Sequence, residues 1–391
     1  MWKINKDFKS IIPVSISVAA AYTVCQWGLY AQPQLFIPLM QQYNVSDPEV
    51  GKLFMVENLT YFFALLLAIV PTTRYSRTKI ALLGSVILIL GNVASAYAGS
   101  IDELMVYRVI AAFGGAFVSG SATTSASASR DPDRTFAVAA VMSGLVFVIG
   151  FAAIPYVLET YNARGVYLMM VIVGLVALPF YNNMLPPIKM EEAKSNFIKL
   201  LMDAPYRVIA VLAMAGLFIY ELGQNAVFTY MDKLGADTGV PAEDRGMYIA
   251  LGSLFGLMGS SLVAWLGTRF GRFWPLVIGL SINIGISILF ALIENPDYYF
   301  YMLFIWDISY MFILPYLMGT LASLDKQGRW ALTGNAFWDL AAGPGPYIAT
   351  LIVAYGGYNH LAMWVFTSGA LGMALFCYTA KKSDKLGLEE A

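Results

Sequence analysis

An apolar stretch of roughly 20 residues, long enough to cross about 30 Å of hydrocarbon, recurs twelve times between polar breaks along this 391-residue chain. Backbone in lipid must satisfy its own N–H and C=O groups, so each stretch is expected to be a helix and the chain an all-α integral membrane protein. The spans fall near 11–39, 51–73, 79–98, 103–125, 135–158, 166–181, 207–231, 247–266, 273–293, 298–324, 330–354 and 358–378. Composition agrees: 13% of residues are charged and 59% apolar, against about 25% charged in a soluble domain. The segment 186–206, with Pro186, Pro187 and mixed charges, reads as a linker between a bundle at 1–185 and another at 207–391.

An even number of spans puts both termini on one side. Nineteen of the 24 lysines and arginines fall on that side, including Arg74, Arg77, Arg269, Arg272 and Lys381, whereas only Lys52, Arg164, Lys233 and Arg245 fall opposite. Termini and linker are therefore expected in the cytoplasm. The basic start followed by Ile11 to Val18 looks like a signal peptide, but the apolar run continues, so it is read as a retained first helix. A net charge of −1 carries no message about nucleic acid or acidic partners, and no nucleic-acid partner is expected. Cys25 and Cys377 lie at opposite ends of the chain and His360 is the single histidine, so no disulfide framework, metal site or cofactor is expected.

Thr73-Arg74-Tyr75-Ser76-Arg77 returns 195 residues later as Thr268-Arg269-Phe270-Gly271-Arg272, a displacement of half the chain to within one position. The same shift aligns Gly28 with Gly223, Gly51 with Gly246, Gly84 with Gly279, Gly150 with Gly345 and Gly174 with Gly369. It also aligns Asp102 with Asp297 and Arg134 with Arg329, both pairs in loops. The chain thus reads as two pseudo-symmetric six-helix bundles, the layout of many secondary transporters.

On these residues the chain resembles the major facilitator superfamily across its whole length. The family's loop after the second helix has the form Gly-x-x-x-Asp-Arg-x-Gly-Arg-Arg/Lys, with a weaker copy after the eighth. Here Arg74 and Arg77 remain, and more fully Arg269, Gly271 and Arg272, while Thr73 and Thr268 replace aspartate and Ile69 and Ser76 replace glycine. The resemblance implies a cytoplasmic latch in which Arg74, Arg77, Arg269 and Arg272 engage carboxylates and helix ends across the two halves, weaker or differently paired here because the aspartates are lost. Leu104-x-x-x-Arg108 followed by Gly114 and Gly115 is similar to the family's fourth-helix pattern, in which the arginine is implicated in proton coupling. The fifth-helix antiporter signature is absent.

Ionisable side chains at membrane depth are costly and mark functional candidates. Five stand out: Glu57, Arg108, Glu221, Asp307 and Asp339. Glu57 and Arg108 are matched in depth, roughly 7 to 9 Å below the outer helix ends. They form either a structural salt bridge or a site where proton or substrate binding exchanges the partner of Glu57. Glu221, Asp307 and Asp339 fall near the centres of their helices with no buried cation in their half to balance them, an argument for ion coupling. Gln26 aligns with Glu221 under the 195 shift, and the resemblance puts both on cavity-lining helices. Tyr30, Gln224, Asn225 and Trp338 join them as an aromatic and amide lining suited to a small organic solute. Gly343-Pro344-Gly345-Pro346 removes backbone hydrogen bonds beside Asp339 and is expected to be a hinge.

The expected function is secondary transport by alternating access. A small organic solute, an organic acid or aromatic compound, is taken up with protons, the proton gradient supplying the energy. The alternative is a proton-coupled antiporter exporting drugs or metabolites. The expected setting is a monomer in contact with membrane lipid, multi-pass in a bacterial inner membrane. An aspartyl protease built on Asp307 and Asp339 is disfavoured, because Phe337-Trp338-Asp339 lacks the required Gly-x-Gly-Asp.

Overall fold

The computed structural model describes residues 6–129, 132–186, 206–266, 269–324 and 329–389, so the linker expected at 186–206 lies almost wholly outside the described residues. The chain divides into two compact units, Met1–Glu191 and Glu192–Ala391. Apart from an isolated bridge between Arg269 and Gly271, the regular structure of the described residues is helical.

In the first unit, α1 (Lys6–Tyr30) and α2 (Gln32–Tyr43) together make the first span. They part at Ala31 because Pro33 has no N–H to offer the Leu29 carbonyl. Then follow α3 (Asp47–Arg74), α4 (Arg77–Ala96), α5 (Ile101–Ser127), α6 (Pro132–Ala177) and a short 3-10 helix, Leu178–Asn183. The second unit contains α7 (Arg207–Asp237), α8 (Ala242–Leu266), α9 (Phe273–Ala291), α10 (Tyr299–Ser323), α11 (Arg329–Ala342) and α12 (Pro344–Glu389).

Serines start helices where the chain leaves a loop. The Glu49 carboxylate accepts from the Ser46 N–H at 2.8 Å, and Ser100 Oγ accepts from the Glu103 N–H at 3.2 Å.

Both α6 and α12 are 46 residues long, about 69 Å at 1.5 Å per residue and twice what a bilayer needs. Each is broken once, α6 at Asn162 (φ 54°, ψ −160°) and α12 at Gly356 and Gly357 (φ 69°, ψ −164° at the latter). Among the described residues, ten long apolar helical stretches therefore supply twelve crossings. The eleventh span is also interrupted, at Gly343, between α11 and α12.

The duplication extends to backbone conformation. Six described residues have positive φ, and four of them pair at a displacement of 195: Asn44 with Gly239, and Asn162 with Gly357. Packing repeats as well. A Cβ on Gly174 would stand 2.9 Å from Ile89 Cγ1, and one on Gly369 would stand 2.7 Å from Ile284 Cγ1, the same contact moved by 195 residues. The two bundles thus share their turns and close approaches although few side chains are identical.

In the first unit α5 packs against α3 and α4, and α1 against α5 and α6. In the second, α7 packs against α11 and α12, α8 against α10, and α9 against α10 and α12. Large apolar side chains such as Leu90, Ile149, Ile172, Trp265 and Ile278 point outward, while Glu57, Arg108, Glu221, Gln224 and Asn283 are buried. That inversion of a soluble protein suits a lipid environment, where polar groups have to be satisfied inside the bundle.

Candidate functional site

In the first unit, α3 carries Glu57 and α5 carries Arg108 to the same level, and the two form a buried ion pair. The guanidinium also donates to Asn92 Oδ1 of α4 at 2.6 Å, and its carbon lies 5.2 Å from the centre of the Tyr167 ring on α6. Four helices therefore enclose one cation. A Cβ on Gly28 of α1 would stand 2.5 Å from Glu57 Oε1 and 2.8 Å from an Arg108 terminal nitrogen, so glycine is what lets α1 close over the pair. A charge pair this dry holds only when its remaining hydrogen-bonding groups are satisfied, and Asn92 and the Tyr167 ring face provide part of that.

One turn further along, Gln32 and Asn58 exchange amide hydrogen bonds at 2.9 and 3.3 Å. Tyr30 meets Phe147 edge-on at 5.1 Å, and Trp27 lies 6.1 Å from the same ring. The Trp27 indole N–H and Gln34 Oε1 are buried without a hydrogen-bond partner among the described residues. Gln26 is half-buried and makes no side-chain hydrogen bond among the described residues.

The second unit holds a more extended polar network. Tyr310 OH of α10 lies 3.0 and 3.1 Å from the two Glu221 carboxylate oxygens on α7, and accepts from Trp338 Nε1 of α11 at 2.9 Å. Gln224, one turn after Glu221, accepts through Oε1 from Trp306 Nε1 at 3.0 Å and Ser287 Oγ at 3.1 Å. An indole can only donate, so this orientation of the amide is fixed, and its buried Nε2 is left without a partner among the described residues. Asn283 of α9 joins in, accepting from Tyr220 OH at 2.6 Å and donating to Ser309 Oγ at 2.9 Å. Trp306 and Tyr310 stack with ring centres 5.2 Å apart. Asn225 turns back to the Glu221 carbonyl at 2.8 Å, and a Cβ on Gly345 would stand 2.7 Å from Asn225 Cβ. The Gly343-Pro344-Gly345-Pro346 segment thus lies close against α7.

Asp307 and Asp339 stand apart from this network. Asp307 is buried on α10 and Asp339 half-buried on α11, and neither makes a side-chain hydrogen bond or ion pair among the described residues. The second unit also holds a half-buried cation, which balances none of these acids. Arg245 Nε lies 3.0 Å from Asp232 Oδ1, and Arg245 also donates to the Val240 carbonyl at 2.6 Å. It engages Asp232 rather than any of the three candidate acids, because it lies in the first turn of α8, beside the end of α7 that carries Asp232.

Of the latch arginines, Arg77 pairs with backbone oxygens and Arg272 with a carboxylate of the same unit. Arg77 is buried and donates to the carbonyls of Thr72 at 3.3 Å, Leu185 at 3.1 Å and Pro186 at 3.0 Å, all within its own unit. With threonine in place of aspartate at 73, its acceptors are backbone oxygens in the last turn of α3 and in the segment that follows the short 3-10 helix. Asp384 of α12 accepts from the N–H groups of Arg272 at 2.9 Å and Phe273 at 3.1 Å, and lies 3.9 Å from the Arg272 guanidinium. Arg74 and Arg269 are exposed, the latter 5.9 Å from the Trp265 ring, and Thr268 lies outside the described residues. Asn92, Tyr167, Asn283, Ser287, Tyr310, Asp232, Arg245 and Asp384 are site or support residues that the sequence reading passed over.

A model of the Major Facilitator Superfamily matches residues 18–346. An uncharacterized transporter of Rickettsia felis (strain ATCC VR-1525 / URRWXCal2) is 27% identical over 160 residues, and the chain spans 38% of that relative's length and 38% of its own. Among solved structures, a D-xylose-proton symporter superposes with a TM-score of 0.77 at 14% identity, over 95% of this chain and 97% of that one. A nucleoside transporter gives 0.73 at 12% identity over 95% and 99%. A bacterial homolog of the human lysosomal transporter Spinster, inward-facing and unoccupied, gives 0.71 at 16% identity over 95% of each. At such identities the likeness is one of fold.

Proposed function

The chain belongs to the Major Facilitator Superfamily, and from that premise we propose that it takes up a small organic solute together with protons, by alternating access. It is a multi-pass membrane transporter and not an enzyme. The observation that carries the coupling reading is the charge balance of the second unit: Glu221, Asp307 and Asp339 have no basic partner among the described residues. Three ionised carboxylates in that setting would be untenable, so at least one carries a proton or a cation through part of the cycle. Glu57 and Arg108, by contrast, neutralise each other.

The network around Gln224, Trp306 and Tyr310 supports an organic solute with a ring and a polar acceptor. Stacked rings offer a planar surface, and the unpartnered Gln224 amide N–H group offers a donor. Termini in the cytoplasm, a bacterial inner membrane and a monomer complete the reading, the first on the bias of basic residues.

The test starts from purified protein screened by thermal shift against organic acids, amines, sugars and antibiotics, since a ligand of the folded state raises its melting temperature. Flux of the hit in proteoliposomes should follow an imposed pH gradient, and Glu221→Gln or Asp307→Asn should uncouple it. Gradient-independent flux in the wild type, or unchanged coupling in both variants, overturns the reading. The Leu104-x-x-x-Arg108 pattern favours a second reading, proton-coupled export, and counterflow in oriented vesicles separates the two.

A further inference from the structure

The three acids of the second unit differ in what surrounds them. Both Glu221 oxygens lie within hydrogen-bond distance of a tyrosine hydroxyl. Asp307 instead sits in a notch made by missing side chains. A Cβ on Gly252 of α8 would stand 2.3 Å from Asp307 Oδ2, so the carboxyl lies directly on the α8 backbone. Below it the two helices stay in close approach. A Cβ on Gly256 would lie 3.1 Å from Met311 Cγ and 3.5 Å from the Asp307 carbonyl, and one on Gly259 would lie 2.1 Å from the Ile308 carbonyl. Ser260 Oγ donates to the Met311 carbonyl at 3.2 Å further along the same face.

A carboxyl 8% exposed, with no donor among the described residues and pressed against a helix backbone, is compatible with such contact only when it bears no charge. We propose that the seam between α8 and α10 is proton-gated: it closes on protonated Asp307 and parts to admit water when Asp307 gives its proton up. The O–H bond of the carboxyl breaks, the proton passes to water, and the resulting carboxylate draws water between the helices. This deepens the coupling reading above and rests on it, by naming the group that carries the proton and the contact that senses it.

Other charged or titratable groups on the packed elements lie away from the notch: Glu243 and Asp244 are in the first turn of α8, two turns or more before Gly252, and α12 bonds α10 at Ser323, four turns beyond Asp307. From α7 come Glu221, held by Tyr310, and Asp232, paired with Arg245 of α8. Tyr248 of α8 lies 6.3 Å ring to ring from Tyr299, two turns before Asp307 on α10 itself. The nearby part of α9 presents Asn283 and Ser287, which do not titrate, and α11 presents Asp339, on the helix whose Trp338 reaches Tyr310. None of these places a fixed charge in the Gly252 notch.

The experiment is a spin-label distance measurement in nanodiscs on the full chain, with Cys25→Ala and Cys377→Ala as background. Labels go on Ser253→Cys of α8 and Ile305→Cys of α10, both exposed positions level with the notch. The distance should lengthen by about 2 Å or more from acid to alkaline pH, the difference between close glycine-mediated and ordinary helix packing. Asp307→Asn should hold the short distance at both, and Glu221→Gln should keep the response. Gly252→Ala, whose methyl fills the notch, should hold the long distance at both, which covers the case of an unstable Asp307 variant. A wild-type distance that ignores pH, or an unaltered response in Asp307→Asn, overturns the proposal. Proton-driven flux with a pH-insensitive seam refutes the seam alone, whereas a responsive seam with gradient-independent flux refutes the coupling reading alone.

Discussion

The Tyr310 hydroxyl stands 3.0 and 3.1 Å from the two carboxylate oxygens of Glu221, so a single proton donor serves both. The same oxygen accepts the Trp338 indole N–H at 2.9 Å, which joins α7, α10 and α11 at one atom. Tyr310→Phe removes that atom and leaves a buried acid and a buried indole N–H together without it. The expected cost is about 1 to 3 kcal/mol, seen as a lower thermal midpoint. Glu221→Gln keeps an acceptor for the tyrosine and should melt close to the wild type.

Glu57 and Arg108 should behave as one unit. Removing either partner leaves an uncompensated charge among Asn92, Tyr167 and Gly28, at a cost of about 3 to 5 kcal/mol. The double variant Glu57→Gln with Arg108→Met should recover most of that loss. A double-mutant cycle on the thermal midpoints measures it, and purely additive losses would show that the pair is not coupled.

Asn162 and Gly357 occupy equivalent positions with nearly the same backbone angles, but only glycine adopts them freely. Asn162→Gly should therefore stabilise the protein by about 1 kcal/mol through relief of backbone strain. Gly357→Asn should destabilise it. Paired melting curves check the opposite signs.

Asp384 takes the N–H groups of Arg272 and Phe273 at the start of α9. Asp384→Ala should cost about 0.5 to 2 kcal/mol, the usual worth of such a cap, and raise hydrogen exchange at those two amides. Asp384→Asn keeps an acceptor and should lose less.

Much of this fold is legible in the residues because lipid leaves a chain so few choices. Segment length and polar breaks mark the spans, and the repeat of Thr-Arg-x-x-Arg sets the register at which Asn44 meets Gly239 and Asn162 meets Gly357. Glu57 and Arg108 are conspicuous because charge at depth is rare. What stays hidden is whatever lacks such a signal. The acceptors of Arg77 are main-chain carbonyls, which every residue has. Tyr310 and Asn283 look like ordinary packing until their partners are placed. Arg245 belongs by sequence to a loop, yet its side chain reaches back to Asp232, just beyond the expected end of the seventh span.

The breaks at Asn162 and at Gly356 and Gly357 also determine what can move. A junction of one or two residues has no slack, so the segments on either side cannot slide past each other or lengthen the path between them. Each hairpin is thereby a pair of stiff segments joined at a single tight break. In the second unit a further break stands at Gly343, where the eleventh span is cut in two, and bending during transport is expected there.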